Sequence, residues 1–254
     1  MTKILLAALA AAVLAAGAAP ARAAEGGRLD DIEVNVHHIA SLQAGARTFV
    51  NYCLNCHSAS LVRYNALRAI GLTDDQIKDN LMFTAEKIGM PMAIAMNPRD
   101  AKEWFGTTPP DLSVIARSRG PDWLYTYLRA FYRDGGTVTG WNNLVYPGVA
   151  MPHVLWQLQG ERILKEEPGL KDGKPVVGGD GRPAKVARLE TLRPGSQSAA
   201  EYDQTVYDLV NFLAWMGEPT QLERKRVGIW TLFALAVLVF LTYFLKRAYW
   251  KDVH

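Results

Sequence analysis

Cysteine is scarce in this sequence: two residues among 254, Cys53 and Cys56. That excludes a scaffold built on disulfides. Net charge is small as well. Twenty-eight basic residues against 25 acidic ones leave a formal +3, too little to argue for a nucleic-acid partner. No internal repeat is present. Wholesale disorder is excluded too, because 49% of the residues are hydrophobic and only 21% charged. The length suits one large domain or two small ones.

Long apolar runs are also few. The first lies at the start, where Lys3 precedes the uncharged, Ala- and Leu-rich run Ile4 to Ala16. It is too short to favour a spanning helix, and Ala21-Arg22-Ala23 fits a small-x-small cleavage pattern. Residues 1–23 therefore read as an export signal, with the mature chain starting near Ala24. An uncleaved anchor is the alternative that the short run and the cleavage pattern disfavour. Without Lys3 and Arg22 the charge balance is 26 against 25, or +1.

The second run, Val227 to Leu245, holds 19 residues without a charge. As a helix it spans about 28 Å, close to the thickness of a bilayer's hydrocarbon core. Trp230 near one end, and Tyr243, Tyr249 and Trp250 near the other, suit interfacial anchors. Arg224, Lys225 and Arg226 before the run balance Lys246, Arg247 and Lys251 after it, so flanking charge gives no orientation. The export signal does. Residues 24–222 are expected on the outer face, 223–246 in the bilayer and 247–254 as a cytoplasmic tail.

Four helical patterns lie between these ends. Residues 41–57 form the first, with Ser41 as a possible cap and Leu42, Ala46, Phe49, Val50 and Cys53 at helical spacing. Gly45, one turn before Phe49, leaves room for another backbone. Residues 74–88, 122–132 and 201–216 form the others, the last with Tyr202, Val206, Leu209, Val210, Leu213 and Ala214 on one stripe. Residues 89–113 and 134–153 read as irregular. Residues 175–177, the turn 178–181 and residues 185–191 suggest a short hairpin. Short helices joined by long ordered loops suit a chain wrapped round a large cofactor.

The chemistry is concentrated in Cys53-Leu54-Asn55-Cys56-His57, the C-x-x-C-H signal for covalent haem c attachment. On a helix, positions i and i+3 share a face, so two thiols can reach the two vinyl groups of one haem. The next residue, His57, then offers an imidazole nitrogen to the iron. Zinc is the weaker rival, since four ligands are needed and only His37, His38, His153 and His254 remain as further histidines. A surface position is the expectation for His37, His38 and His153. A thioredoxin-like pair is the stronger rival, but that motif follows a strand, and here a helical pattern runs into Cys53.

The second axial ligand decides between relay and open-site chemistry. A His/Met pair gives a closed iron of raised potential. Met82 and Met216 read as packing residues, and Met90, Met92 and Met96 crowd one loop behind the second helix. Met151, in the Pro-flanked loop Tyr146 to Pro152, is favoured, with Met92 behind it. Met as a flexible core filler is the bland alternative.

Read in order, these residues resemble the cytochrome c1 family, haem subunits of quinol–cytochrome c reductases. The resemblance rests on Gly45 to His57, Pro109-Pro110-Asp111-Leu112-Ser113 and Arg117-Ser118-Arg119. It continues through Tyr146-Pro147-Gly148 leading to Met151, then Phe212-Leu213-Ala214-Trp215 before Glu218-Pro219, and ends in Arg224 to Gly228 with the anchor. It covers nearly all of the mature chain, although residues 160–194 map poorly and the stretch after Met151 is unusually apolar. The resemblance implies a mainly α, class I-like cytochrome c fold with long loop insertions, a small β-hairpin and one C-terminal transmembrane helix. It implies one haem c on Cys53 and Cys56, with His57 and Met151 as axial ligands. Pro110 would lie against the haem on the His57 side, its carbonyl accepting the His57 ring N–H, and Arg119 would meet a propionate.

The implied function is one-electron relay from a Rieske iron–sulfur protein to a cytochrome c, beside cytochrome b. The place would be the bacterial inner membrane, with the haem domain in the periplasm. Such a subunit does no bond chemistry alone. A stand-alone membrane-anchored shuttle, a haem enzyme or gas sensor with an open site, and a thiol oxidoreductase are the other classes.

Overall fold

Where the cysteines stand is decided by two helices that cross at a glycine. A computed structural model describes residues 29–168, 170–171, 174–175 and 185–251. The expected export signal, mature start, turn 178–181 and His254 lie outside the described residues.

The first helix, α1 (Ile39–Thr48), buries Leu42, Gly45 and Ala46, and its last turn widens into a π-helical segment at Phe49–Cys53. There the Leu54 N–H donates five residues back to the Phe49 carbonyl, at 3.0 Å. The segment closes with the His57 N–H on the Cys53 carbonyl, at 2.9 Å. The expected helix over 41–57 is thus α, then π, then a turn. Ser41 is not a cap. The helix starts two residues earlier, behind His38, and the Ser41 hydroxyl donates instead to Asp208 of the crossing helix at 2.5 Å.

A strand, β1 (Ala59–Arg63), leads through a 3-10 segment at Tyr64–Ile70 into α2 (Asp74–Asn80). A capping box of Thr73 and Gln76 starts α2. It ends at Asn80 and not at 88, because the following chain runs back beside the 3-10 segment. Asn65 and Tyr64 donate backbone N–H groups to the Ile88 and Met90 carbonyls, at 2.9 and 3.1 Å. The strand β2 (Pro91–Met92) pairs antiparallel with β1. Next comes α3 (Pro98–Phe105), in a stretch expected to be irregular. Asn97 caps it by accepting the Arg99 N–H, with Pro98 in the first turn.

Helices α4 (Ile115–Arg119) and α5 (Pro121–Arg129) follow, then β3 (Phe131–Arg133) and β4 (Trp141–Asn143). Helix α5 stops at Arg129, short of 132, because Phe131 to Arg133 pair with Asn143 to Trp141. After the short α6 (Trp156–Gln159) come β5 (Gly160–Pro168), β6 (Leu170–Lys171), β7 (Lys174–Pro175) and β8 (Lys185–Pro194). The hairpin is larger than expected. Strand β8 pairs with β5, from Gly160 with Pro194 to Pro168 with Lys185. Lys174 and Pro175 pair instead with Lys171 and Leu170. Order in the main sheet is β4-β3-β5-β8, with β3 and β5 parallel.

Helix α7 (Ala199–Gly217) opens with a Ser198–Glu201 capping box and buries Tyr202, Val206, Leu209, Val210 and Leu213, five of the six residues of its expected stripe. It crosses α1 so closely that a Cβ on Gly45 would sit 2.1 Å from the Asp208 carbonyl oxygen. Beside this contact the Asn211 amide donates to Ser41 Oγ at 2.9 Å, and its oxygen accepts the Asn35 N–H. Tyr202 donates to the Leu128 carbonyl at 2.8 Å, which fixes α5 on α7.

Glu218 then links three elements. It pairs with Arg117 of α4 at 3.3 Å and with Arg224 at the start of α8 (Gln221–Tyr249). Among the described residues, α8 supplies the one helix long and apolar enough to cross a membrane, over Glu223–Tyr249, and none of its apolar window is buried in the protein. The whole is mainly helical with a small sheet and one apolar C-terminal helix, as expected.

The loop between β4 and α6 hangs from two asparagines. Asn143, fully buried, donates to the Tyr127 carbonyl at 2.8 Å and accepts the Val145 and Tyr146 N–H groups. Asn142 accepts the Gly148 N–H at 2.8 Å.

Two stability outcomes follow, both read by denaturation of the detergent-solubilised full chain. Gly45→Ala forces the two backbones apart and costs roughly 3 kcal/mol or more, whereas Gly89→Ala, with nothing within 4 Å of the new atom, is near neutral. Asn143→Ala strips a buried carbonyl and two N–H groups of their partner and costs about 3 kcal/mol. Asn51→Ala, which removes an exposed bond to Arg47, stays within about 0.5 kcal/mol.

Candidate functional site

A histidine next to a helix end is free to turn unless something holds its ring. Here the holder is a loop that clamps back onto the chain just beyond the C-x-x-C-H segment. Asp111 accepts the Ser60 N–H at 2.9 Å, the Ser60 hydroxyl at 2.7 Å and the Ser113 N–H at 2.8 Å. The Leu61 N–H donates to Ser113 Oγ, and the Leu112 N–H to the Ser58 carbonyl. Burial raises the Asp111 carboxyl, but the hydrogen bonds from Ser113 and Ser60 outweigh it and hold the group below its ordinary range. It therefore stays an acceptor at neutral pH.

This clamp sets the Pro110 carbonyl 2.7 Å from His57 Nδ1. A carbonyl only accepts, so Nδ1 carries the proton and Nε2 is left with a free lone pair. His57 is 9% exposed. Burial lowers its pKa against the smaller opposing pulls of Pro110 and Asp111, so the imidazole is neutral and ready to bind a metal.

Cys53, Cys56, His57, Pro110 and Met151 line one apolar cleft. Tyr52, Phe105 and Val154 add to its walls. Two thiols, a neutral imidazole and a thioether on apolar walls are the donor set and setting of a covalently held haem. They suit a thiol redox pair badly. Burial, with Cys56 beside it, pushes the Cys53 thiol up to about 12, and burial raises Cys56 as well. A redox pair needs a stabilised thiolate. Zinc is no better served: among the described residues no group of three or more His, Cys, Asp or Glu gathers to hold a metal ion.

Met151 is half-buried at the cleft. Its loop is held by Asn142 and Asn143, and the Tyr127 hydroxyl donates to its sulfur at 3.4 Å. Among the described residues the other methionines stand elsewhere. Met92 is fully buried where β2 meets β1, and Met216 is buried in α7. Met82 packs on the core, Met90 is exposed, and Met96 lines a neighbouring hollow. Arg119 is exposed and outside the cleft lining, its guanidinium 5.0 Å above Trp123 and 6.0 Å from the Tyr146 ring.

His37 and His38 are exposed, as expected, but His153 is buried at 2% exposure. Its apolar neighbours carry it inward, where the ring stacks on Phe131 at 4.9 Å and meets Trp141 edge-on. Burial and the nearby Arg162 bring its pKa down to about 3, so it is neutral. Sequence reasoning missed Tyr127 and Asn143. The one trace of Asn143 was a polar pair, Asn142-Asn143, inside a short strand.

Comparisons with known proteins bear on the family. The model of the Cytochrome C1 family matches residues 193–253. The chain is 45% identical over 227 residues to a Nitrosomonas europaea protein named ammonia monooxygenase gamma subunit, covering 89% of each. It is 30% identical over 236 residues to the cytochrome c1 of Rhodospirillum rubrum, covering 84% of this chain and 81% of that one. To the cytochrome c1 of Allochromatium vinosum it is 42% identical over 231 residues, covering 90% of this chain and 91% of the relative. With likeness of that degree running nearly end to end, the chain belongs to the cytochrome c1 family.

Proposed function

We propose that this chain is the haem-bearing electron-carrier subunit of a quinol–cytochrome c reductase. What supports the reading is the shared cleft, lined by His57 and Met151 together with both cysteines, and the Pro110 carbonyl that takes up His57 Nδ1 and leaves Nε2 free. Haem c, bound there, supplies a one-electron couple whose potential a His/Met pair raises. Cys53 and Cys56 would hold it through thioethers, and His57 and Met151 would be the donors to its iron. Pro110 fixes the imidazole's tautomer and direction. The walls exclude water, which favours the less charged state of the couple. Arg119, on the face of Trp123, is the cation that the family likeness assigns to a propionate.

Family membership and the apolar helix α8 make this a membrane-anchored protein. In the finer reading, residues 1–23 direct export and 24–222 form the periplasmic haem domain. Residues 223–246 cross the bacterial inner membrane, and 247–254 form a cytoplasmic tail. A Rieske iron–sulfur protein delivers the electron, a cytochrome c receives it, and cytochrome b is the neighbour within the membrane. The name of the Nitrosomonas relative suggests a monooxygenase subunit instead. With both proposed donors on the iron, such a subunit would supply electrons and would not be the oxygen site.

The test is a reduced-minus-oxidised spectrum of the tagged chain pulled from solubilised membranes. A c-type band that survives acid–acetone extraction, with b-type haem alongside, is expected. A c-type band alone would move the chain to a stand-alone shuttle, and no band would end the reading. Ser at both Cys53 and Cys56 abolishes the acid-stable band. Met151→Ala makes the reduced protein bind CO and lowers the potential by on the order of 0.1 V, within the roughly 0.8 V that axial ligands command. A variant without CO binding would remove Met151 from the iron.

A further inference from the structure

A buried hydroxyl needs a partner, and the one that Tyr127 has chosen is unusual. It donates to Met151 Sδ at 3.4 Å, although a thioether is a weak acceptor. The ring has little freedom to choose otherwise. Trp123, one turn earlier on α5, stacks on it with centroids 4.6 Å apart and planes 11° apart. Phe131 meets it edge-on at 5.0 Å. The Arg119 guanidinium caps the outer face of Trp123 at 5.0 Å. The Tyr127 carbonyl, in turn, accepts from Asn143, the residue that anchors the loop leading to Met151. Phenol and thioether are thus aligned by two routes at once, through ring packing and through the backbone.

We propose that Tyr127 is the positioning residue for Met151, aiming its sulfur and tuning how strongly that sulfur donates. The inference rests on the reading of Met151 as an axial donor. A thioether sulfur has two lone pairs. With one taken by the Tyr127 O–H, the sulfur is held in one rotation and the second lone pair is left for the iron. The same hydrogen bond draws electron density from the sulfur. Weakening the donor costs Fe(III) more stabilisation than Fe(II), so the bond raises the potential. A Phe at this position would satisfy Trp123 and Phe131 equally well, so ring packing alone does not account for the hydroxyl.

The experiment compares Tyr127→Phe, Trp123→Leu and Met151→Ala in the full-length, haem-loaded protein in detergent. Tyr127→Phe is expected to keep the c-type spectrum and to exclude CO. It should shift the Fe(III)/Fe(II) ratio at a fixed ambient potential about threefold toward Fe(III), a midpoint lower by about 28 mV at 59 mV per tenfold for one electron. The sulfur-to-iron(III) charge-transfer band should move with it. Trp123→Leu, which removes the stack but keeps the hydroxyl, should shift the midpoint in the same direction. A Tyr127→Phe midpoint and band equal to wild type, beside a Met151→Ala protein that binds CO, would overturn the positioning role and leave the axial assignment standing. A Met151→Ala protein with unchanged potential and no CO binding would overturn both.

Discussion

The hydrogen bond from His57 Nδ1 to the Pro110 carbonyl is the interaction on which the cleft depends. It joins residues 53 positions apart, and the surrounding bonds exist to hold its acceptor still. Asp111 and Ser113 tie the Pro-Pro loop to the backbone at Ser60 and Leu61. Two consecutive prolines suit this task. Each has a fixed φ and no N–H, so the Pro110 carbonyl is offered from a stiff chain with no local donor competing for it. Without this bond His57 would be a buried ring with an undetermined tautomer, and its Nε2 would not be committed to the cleft.

Helix α7 makes the opposite side answer to the same frame. It touches α1 at Gly45, α5 through Tyr202 and Leu128, and α4 where Gly217 lies against the Arg117 side chain. Arg129 of α5 adds a forked pair with Asp203, at 2.6 and 3.1 Å, and reaches Asp30 at 2.7 Å. These ion pairs are partly open to water and contribute little each. The close helix crossing and the buried Tyr202 bond carry the weight, since neither has a substitute in solvent. The Met151 loop hangs from α5 and β4, so its position is referred through α7 to α1 and the cysteines. Beyond Gly217 the helix breaks at Glu218, whose carboxylate pairs with Arg117 and Arg224, so α4 and the start of α8 are tied at the end of α7.

What was legible in the sequence was local. C-x-x-C-H, the glycine at 45 and the apolar span all announce themselves within a few residues, because spacing along the chain is enough to define them. What was missed depends on distant partners. Ser41 looks like a cap until Asp208 is brought beside it. Residues 81–88 keep a helical pattern, yet the carbonyls of Ile88 and Met90 are taken by Asn65 and Tyr64. The hairpin's first arm was sought at 175–177, near its turn, while the partner of β8 lies at Gly160–Pro168. Asn97-Pro98 did mark a helix start and was passed over among the glycines and prolines around it. His153 reads as a surface residue because histidine usually is one, and only the rings of Phe131 and Trp141 make its burial tolerable. Tyr127 left no trace, since a tyrosine in an aromatic helix is indistinguishable from packing until the sulfur is in view.

Electron relay asks that ligands move little when the charge changes, because every displacement adds to the barrier. The two proposed donors meet that demand by different means. His57 is held at one ring atom by a backbone carbonyl that a carboxylate clamp cannot easily release. Met151 has three rotatable bonds and would be the softer of the two, so its loop is bound at Asn142 and Asn143 and its sulfur at Tyr127. Stiffness was added where the side chain itself supplies none. The aromatic stack that carries Tyr127 reaches the surface at Trp123 and Arg119. A cation there lies one stacked pair away from the sulfur. In the proposed reading the propionate assigned to Arg119 lies beside the same rings that orient the second donor, so one aromatic stack serves both the cation and the thioether.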